Sequence, residues 1–250
     1  MPSLNTAQII RVADAQALAQ AAAETFCQQA QANIARWGRF TVALSGGSTP
    51  KAMFGLLADE PYRSAIDWAN VYIFWGDERC VPPDHEESNY RMTNEALLSK
   101  VPLPPENIFR LYGEDAPARA AQRYGAQLQQ FFQTDSLPQF ELVFLGMGAD
   151  GHTASLFPGT AALQADAEVV AVENYVEKLK TYRLTLTAAT INQARTIIFL
   201  VGGADKAVTL RAVLQGEFQP EVYPSQLIRP VHGTLTWIVD EAAASQLERL

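Results

Sequence analysis

The chain has 250 residues, 48% hydrophobic and 18% charged, with a formal net charge of −8 and a pI near 4.9. That balance suits a folded globular protein with a sizeable core and excludes extended disorder. An acidic chain without a Lys/Arg cluster argues against nucleic acid as a partner, and any anionic ligand would need a locally positive pocket.

Asp14 to Trp37 reads as an amphipathic helix. Leu18, Ala22, Phe26, Ala30 and Ile34 recur at four-residue steps, Asp14 can cap the start and Gly38 can end it. Phe40–Leu44 reads as a short apolar strand. It runs into Ser45-Gly46-Gly47-Ser48-Thr49-Pro50-Lys51 and a helix, with Thr49 as N-cap and Pro50 in the first helical position. Val71–Trp75 is strand-like and leads through Gly76 into Asp77-Glu78-Arg79, read as a loop, and the prolines at 82–83 and 102–105 also mark loops. Ala116 to Gln133 looks helical, residues 140–145 form a strand, and further strands are expected at Arg183–Thr187, Thr196–Val201 and Leu235–Val239. Ala204–Leu214 and Glu241–Leu250 look helical. Apolar strands alternating with helices predict one α/β domain over residues 1–250, with a mainly parallel sheet and helices on both faces. In such sheets ligands bind beyond the carboxyl ends of the strands, so the turns SGG, GDER, GMG and VGG are expected to meet at one site.

Cys27 and Cys80 belong to no metal or disulfide pattern. No apolar stretch is long enough to span a bilayer, and the opening MPSLNTAQIIRVAD has neither a secretory nor a transit pattern. The reading is a cytoplasmic protein with no membrane partner; monomer and dimer both stay open.

Residues 145–159, LGMGADGHTASLFPG, are the most informative segment. A histidine on a glycine turn at the end of a buried strand suits catalysis, since the strand fixes its position and the glycines let a ligand approach the backbone. Gly146, Gly148 and Gly151 also spell the dinucleotide fingerprint, but Asp150 would set a carboxylate where the pyrophosphate belongs. His152 is therefore the candidate acid–base group and Asp150 the residue that sets its tautomer. The helix start after SGGST forms a natural phosphate cradle from Ser45, Gly46, Gly47, Ser48 and Thr49. Arg79, Arg183 and Lys206 stand as the positive groups of the pocket, and Asp77 with Arg79 as groups that could orient a polyol. No metal-ligand spacing occurs, and no metal or cofactor is expected.

In this order, ALSGGSTP, WGDERCVPPDHEESNYRM, LGMGADGHTASLFPG, RLTLT and VGGADKA resemble the motifs of the 6-phosphogluconolactonase family. The resemblance implies a modified Rossmann-like fold shared with sugar-phosphate isomerases such as glucosamine-6-phosphate deaminase. It implies hydrolysis of 6-phospho-D-glucono-1,5-lactone to 6-phosphogluconate, the second step of the oxidative pentose phosphate route. His152 would be the acid–base residue, with Asp77 and Arg79 lining the site and Ser45–Thr49, Arg183 and Lys206 binding the phosphate. The family often carries prolines before the R-x-T-L-T strand, where this chain has Lys178-Leu179-Lys180-Thr181-Tyr182, so Lys180 is an alternative to Arg183. In the deaminases a glutamate follows the histidine by five residues; here that residue is Phe157, which cannot accept a proton. The rival readings are a deaminase-type enzyme and a non-catalytic sugar-phosphate sensor.

Overall fold

The computed structural model describes residues 7–248. In chain order the elements are β1 (Gln8–Val12), α1 (Ala15–Trp37), β2 (Phe40–Leu44), α2 (Ser48–Leu57), α3 (Tyr62–Ala65), β3 (Val71–Trp75), β4 (Asp77–Arg79), α4 (Asn89–Ala96), β5 (Ile108–Phe109) and α5 (Pro117–Phe132). There follow β6 (Leu142–Gly146), β7 (Ala171–Val176), β8 (Thr181–Leu186), α6 (Ala188–Ile191), β9 (Thr196–Val201), α7 (Ala207–Gln215) and β10 (Thr234–Asp240).

Seven strands form one sheet in the order β1-β10-β9-β6-β2-β3-β5, and every pair in it is parallel. β2 is buried along its whole length, as a parallel strand covered on both faces must be. On one face lies α1, whose Phe26 is fully buried against Phe40, Trp68 and Phe144 at centroid distances of 5.4, 6.0 and 6.5 Å. Truncating such a ring to alanine costs about 3–5 kcal/mol. On the other face, α5 sets Phe131 against Tyr72 and Phe74. Its buried Tyr124 hydroxyl accepts from Trp75 N (3.0 Å) and donates to Trp75 O (2.9 Å).

Strand order reverses between β6 and β2. From β2 the chain builds outward to β3 and β5, and from β6 outward in the other direction to β9 and β10. The carboxyl ends of β9, β6, β2 and β3 thus lie side by side, and the crevice of such a switch point is where open α/β sheets bind ligands.

A second, antiparallel sheet has the order β4-β8-β7. Gly76 joins the two: its N–H donates to Leu44 O and its carbonyl accepts from Leu186 N, both at 2.8 Å. Asp77–Arg79, read from sequence as a loop, is therefore a strand, because β8 supplies ladder partners for its backbone.

Four other expectations need correction. Gly47, at φ +107, holds the N-cap of α2, so Thr49 is already helical and Pro50 is its third residue. The positive φ lets the chain turn into the helix earlier than a threonine cap would. The helix expected at Glu241–Leu250 is one 3-10 turn, Ala243–Gln246, started by the Asp240 carboxylate accepting from Ala243 N (2.7 Å). Residues 249 and 250 lie outside the described range. The strand at 140–145 spans Leu142–Gly146, and the strand at Arg183–Thr187 spans Thr181–Leu186, with Thr187 capping α6. Among the described residues no helix is long and apolar enough to cross a membrane.

Candidate active site

The histidine turn leaves β6 at Gly146 and is tied down at nearly every carbonyl. Gly146 O accepts from Thr153 Oγ1 (2.8 Å), Ala149 O from Thr209 Oγ1 (2.7 Å), Gly151 O from Ser225 N and Oγ (2.9 and 2.8 Å), and His152 O from Gly148 N (2.8 Å). Two glycines make this geometry accessible. Gly151 has φ +79, and a Cβ on Gly148 would stand 2.0 Å from His152 Nδ1. The imidazole thus occupies the space over Gly148, where a dinucleotide fingerprint would keep room for pyrophosphate. After Gly151 comes a bridged turn, Thr153 to Leu156, and no helix. That removes the dinucleotide reading.

His152 Nδ1 lies 2.5 Å from Asp150 Oδ1, and Asp150 Oδ2 forms an ion pair with Lys178 Nζ. Burial alone would raise the Asp150 carboxyl, but the hydrogen bonds from His152 and Lys178 outweigh it and hold the group well below the usual carboxylate range. With the Nδ1 proton facing a carboxylate, Nε2 is the free ring nitrogen. Phe157 stacks on the imidazole at 4.2 Å and 23°.

Asp77 is buried, and its Oδ2 accepts from Ser155 Oγ (2.7 Å), which ties β4 to the histidine turn. Asn174 on β7 supports the same turn by donating from Nδ2 to Ser155 O (2.9 Å) and to Thr160 Oγ1 (2.9 Å). Glu78 is structural: its buried carboxylate accepts from Asn89 N, Tyr90 N, Arg79 N and Ser88 Oγ, so it caps α4. Burial pushes its carboxyl up, against those backbone N–H groups.

Arg79 and Arg183 are register partners on β4 and β8, so their side chains share the face that carries Asp77. Arg79 Nη1 donates to Glu87 O (2.5 Å) and Arg183 Nη1 to Tyr182 O (3.2 Å). Among the described residues neither has a carboxylate within ion-pair distance. Burial first, and then the charge of Arg79, push the buried Arg183 below the usual guanidinium range. Like charges directly opposite are destabilising, so the two guanidinium groups repel across this pair.

The SGGST turn meets the site through Asn89. Gly46 lies against its amide, where a Cβ would stand 1.9 Å from Asn89 Oδ1, and Asn89 Nδ2 donates to Asp77 O (3.0 Å). The buried Ser45 hydroxyl donates to Phe144 O (2.8 Å), so its proton ties β2 to β6 and is not free for a phosphate. Gly47, Ser48 and Thr49 form the start of α2, which has no side-chain cap. Lys206 precedes α7, three residues before Thr209, and pairs with Asp205 (2.7 Å). Lys180, the alternative to Arg183, lines a cleft of about 500 Å³ with Cys80, Tyr175 and Tyr182. Burial, above all, pushes the Cys80 thiol there up to about 11.

Ser155, Asn89 and Lys178 carry contacts that the sequence does not signal, because each partner lies on another element. Ser88-Asn89 before a weakly periodic stretch was the one available hint, a helix start whose Ser88 Oγ accepts from Arg91 N (3.1 Å).

The chain matches the family model described as glucosamine-6-phosphate isomerases/6-phosphogluconolactonase over residues 13–237. A 6-phosphogluconolactonase of Synechocystis sp. is 43% identical over 217 residues, covering 86% of this chain and 87% of that protein. One from Haemophilus influenzae is 38% identical over 206 residues, 82% and 87% of the two chains. The solved 6-phosphogluconolactonase of Trypanosoma brucei superposes with a TM-score of 0.86 at 31% identity, over 97% of this chain and 99% of that one. Sequence over most of the chain and the fold match one group: the protein belongs to the glucosamine-6-phosphate isomerase/6-phosphogluconolactonase family.

Proposed function

We propose that this protein hydrolyses 6-phospho-D-glucono-1,5-lactone to 6-phosphogluconate, with His152 as general base and then general acid. The observation that carries the assignment of roles is the Asp150–His152 pair, which leaves Nε2 as the one free ring nitrogen. In the first step Nε2 takes a proton from a water molecule as its oxygen attacks C1, and the lactone carbonyl becomes an oxyanion. In the second the oxyanion re-forms the carbonyl, the C1–ring-oxygen bond breaks, and His152 returns the proton to that oxygen. The product carboxylic acid then ionises in water. Asp150 favours the imidazolium that exists between the two steps.

The phosphate goes to Arg79 and Arg183, whose mutual repulsion a dianion relieves, assisted by Lys206 and the Gly47–Thr49 helix start. Anchoring the phosphate there turns binding energy into orientation at C1. Asp77 works through Ser155, as a support of the histidine turn. The lactonase is favoured over the deaminase by Phe157, an apolar ring stacked on His152 where the deaminases carry a glutamate. Proton transfer at carbon needs a second acid–base group, whereas lactone hydrolysis needs one.

The test is the hydrolysis rate of freshly generated 6-phosphogluconolactone above its spontaneous opening. His152→Ala should lower kcat by about 10²–10⁴ with KM little changed. Turnover near wild type in that variant would remove His152 from the mechanism, and ammonia release from glucosamine-6-phosphate would favour the deaminase.

A further inference from the structure

Lys178 sits on the turn between β7 and β8, in a 3-10 segment, Glu177–Leu179, closed by Lys180 at φ +50. Its side chain is about half exposed, yet it is not simply solvated. The ammonium meets Asp150 Oδ2 and also lies 4.8 Å from the centroid of Phe157. Asp150 holds His152 through its other oxygen, and Phe157 stacks on the His152 ring. The four side chains therefore close a ring of contacts, Lys178 to Asp150 to His152 to Phe157 and back. Three of the four belong to the histidine turn, and Lys178 alone comes from the small sheet.

We propose that Lys178 is a positioning residue for the acid–base step, which holds the Asp150 carboxylate and the Phe157 ring in the orientation that fixes His152. The inference rests on the reading of His152 as the acid–base group. A carboxylate with one fixed oxygen can swing about its Cβ–Cγ bond and turn away from the imidazole; an ammonium on the second oxygen stops that motion. The same charge limits how strongly His152 keeps a proton taken from water, and so favours its return to the ring oxygen. Phe157 acts in the opposite sense, since its ring face attracts the imidazolium. The lysine stem spans the distance from an exposed hairpin, so the contact depends on the hairpin staying docked.

The other charged or titratable groups toward this turn are Asp77 through Ser155, Arg79 and Arg183 on the same sheet face, Tyr223 against Gly151, and Lys206 near Thr209. A substitution at Lys178 leaves them all in place. Lys178→Met should lower kcat about 10-fold, with KM for the phosphorylated lactone within about twofold. Removing the cation that pairs with Asp150 should also move the acid limb of the kcat profile upward. Lys178→Arg, which keeps the charge, should recover most of the rate. Because the side chain is half exposed, the Tm of Lys178→Met should fall by no more than about 2 °C and that of Lys178→Arg by less, which separates this role from a folding defect.

If KM rises and preference for the phosphorylated lactone falls while kcat stands, Lys178 is a phosphate ligand and the proposal is wrong. Unchanged kcat with an unmoved acid limb makes it a surface charge, and is equally fatal. Failure of the underlying reading shows itself elsewhere, as wild-type protein without lactonase activity or as His152→Ala with full activity.

Discussion

Gly148→Ala adds a single methyl group, at a point 2.0 Å from His152 Nδ1, 2.2 Å from His152 Cε1 and 2.6 Å from Asp150 Oδ1. Ordinary contact begins near 3.4 Å, so the ring must retreat by roughly 1.4 Å or rotate off Asp150. A displacement of about 1 Å at a reacting group costs about 10²-fold in rate, or about 2.7 kcal/mol of barrier. The added atom should also cost about 1–3 kcal/mol of stability, as overpacking does. Gly146, the first glycine of the same motif, is the internal control, because a Cβ there meets nothing within 4 Å. Gly146→Ala should therefore retain turnover within about twofold, while Gly148→Ala falls by about 10² in kcat. The assay is lactone hydrolysis at saturating substrate, with thermal unfolding of both variants in parallel. Wild-type kcat in Gly148→Ala, or an equal loss in Gly146→Ala, would refute the view that the glycine serves to admit the imidazole.

Two further predictions concern the charges of the site. Arg183→Gln should lower kcat/KM for the phosphorylated lactone about 10²-fold and abolish its preference over plain gluconolactone, while added inorganic phosphate raises the Tm of the wild type only; an intact preference would exclude Arg183 as a phosphate ligand. Asp150→Asn should lower the Tm at pH 7 by about 2–4 °C. The folded carboxyl sits below its unfolded value, so this stabilisation is complete above the ordinary carboxylate range near about pH 4 and disappears as the pH falls below it. A gap between wild type and variant that widened as the pH fell below about 4 would contradict the pairing.

Where side chains repeat with a clear period, sequence and structure agree closely. α1 starts one residue after its Asp14 cap and ends at Gly38 in the left-handed conformation, and β2, β3 and β9 keep their expected bounds. The elements that sequence alone does not reveal are held by partners far along the chain. Three polar residues, Asp77–Arg79, have no apolar alternation and become a strand because β8 pairs with them. α4 is weakly apolar and depends on Glu78 for its cap. The alanine-rich C-terminal stretch has helix propensity, yet after one turn Leu247 adopts extended backbone and buries its side chain. At the site, His152 and Asp150 are legible because they share one turn. Lys178 and Ser155 are not, since their partners lie 28 and 78 residues away. Ser45 shows the converse: its motif suggests a phosphate ligand, and its hydroxyl proton serves a neighbouring strand.

Gly76 gives its N–H to one sheet and its carbonyl to the other. A single peptide junction thus couples the two sheets, so a shift of the small sheet reaches the carboxyl end of β2 through one residue. Because Asn174 on β7 and Asp77 on β4 also hold the histidine turn, a substitution in the small sheet acts on that turn as well as on the arginine face.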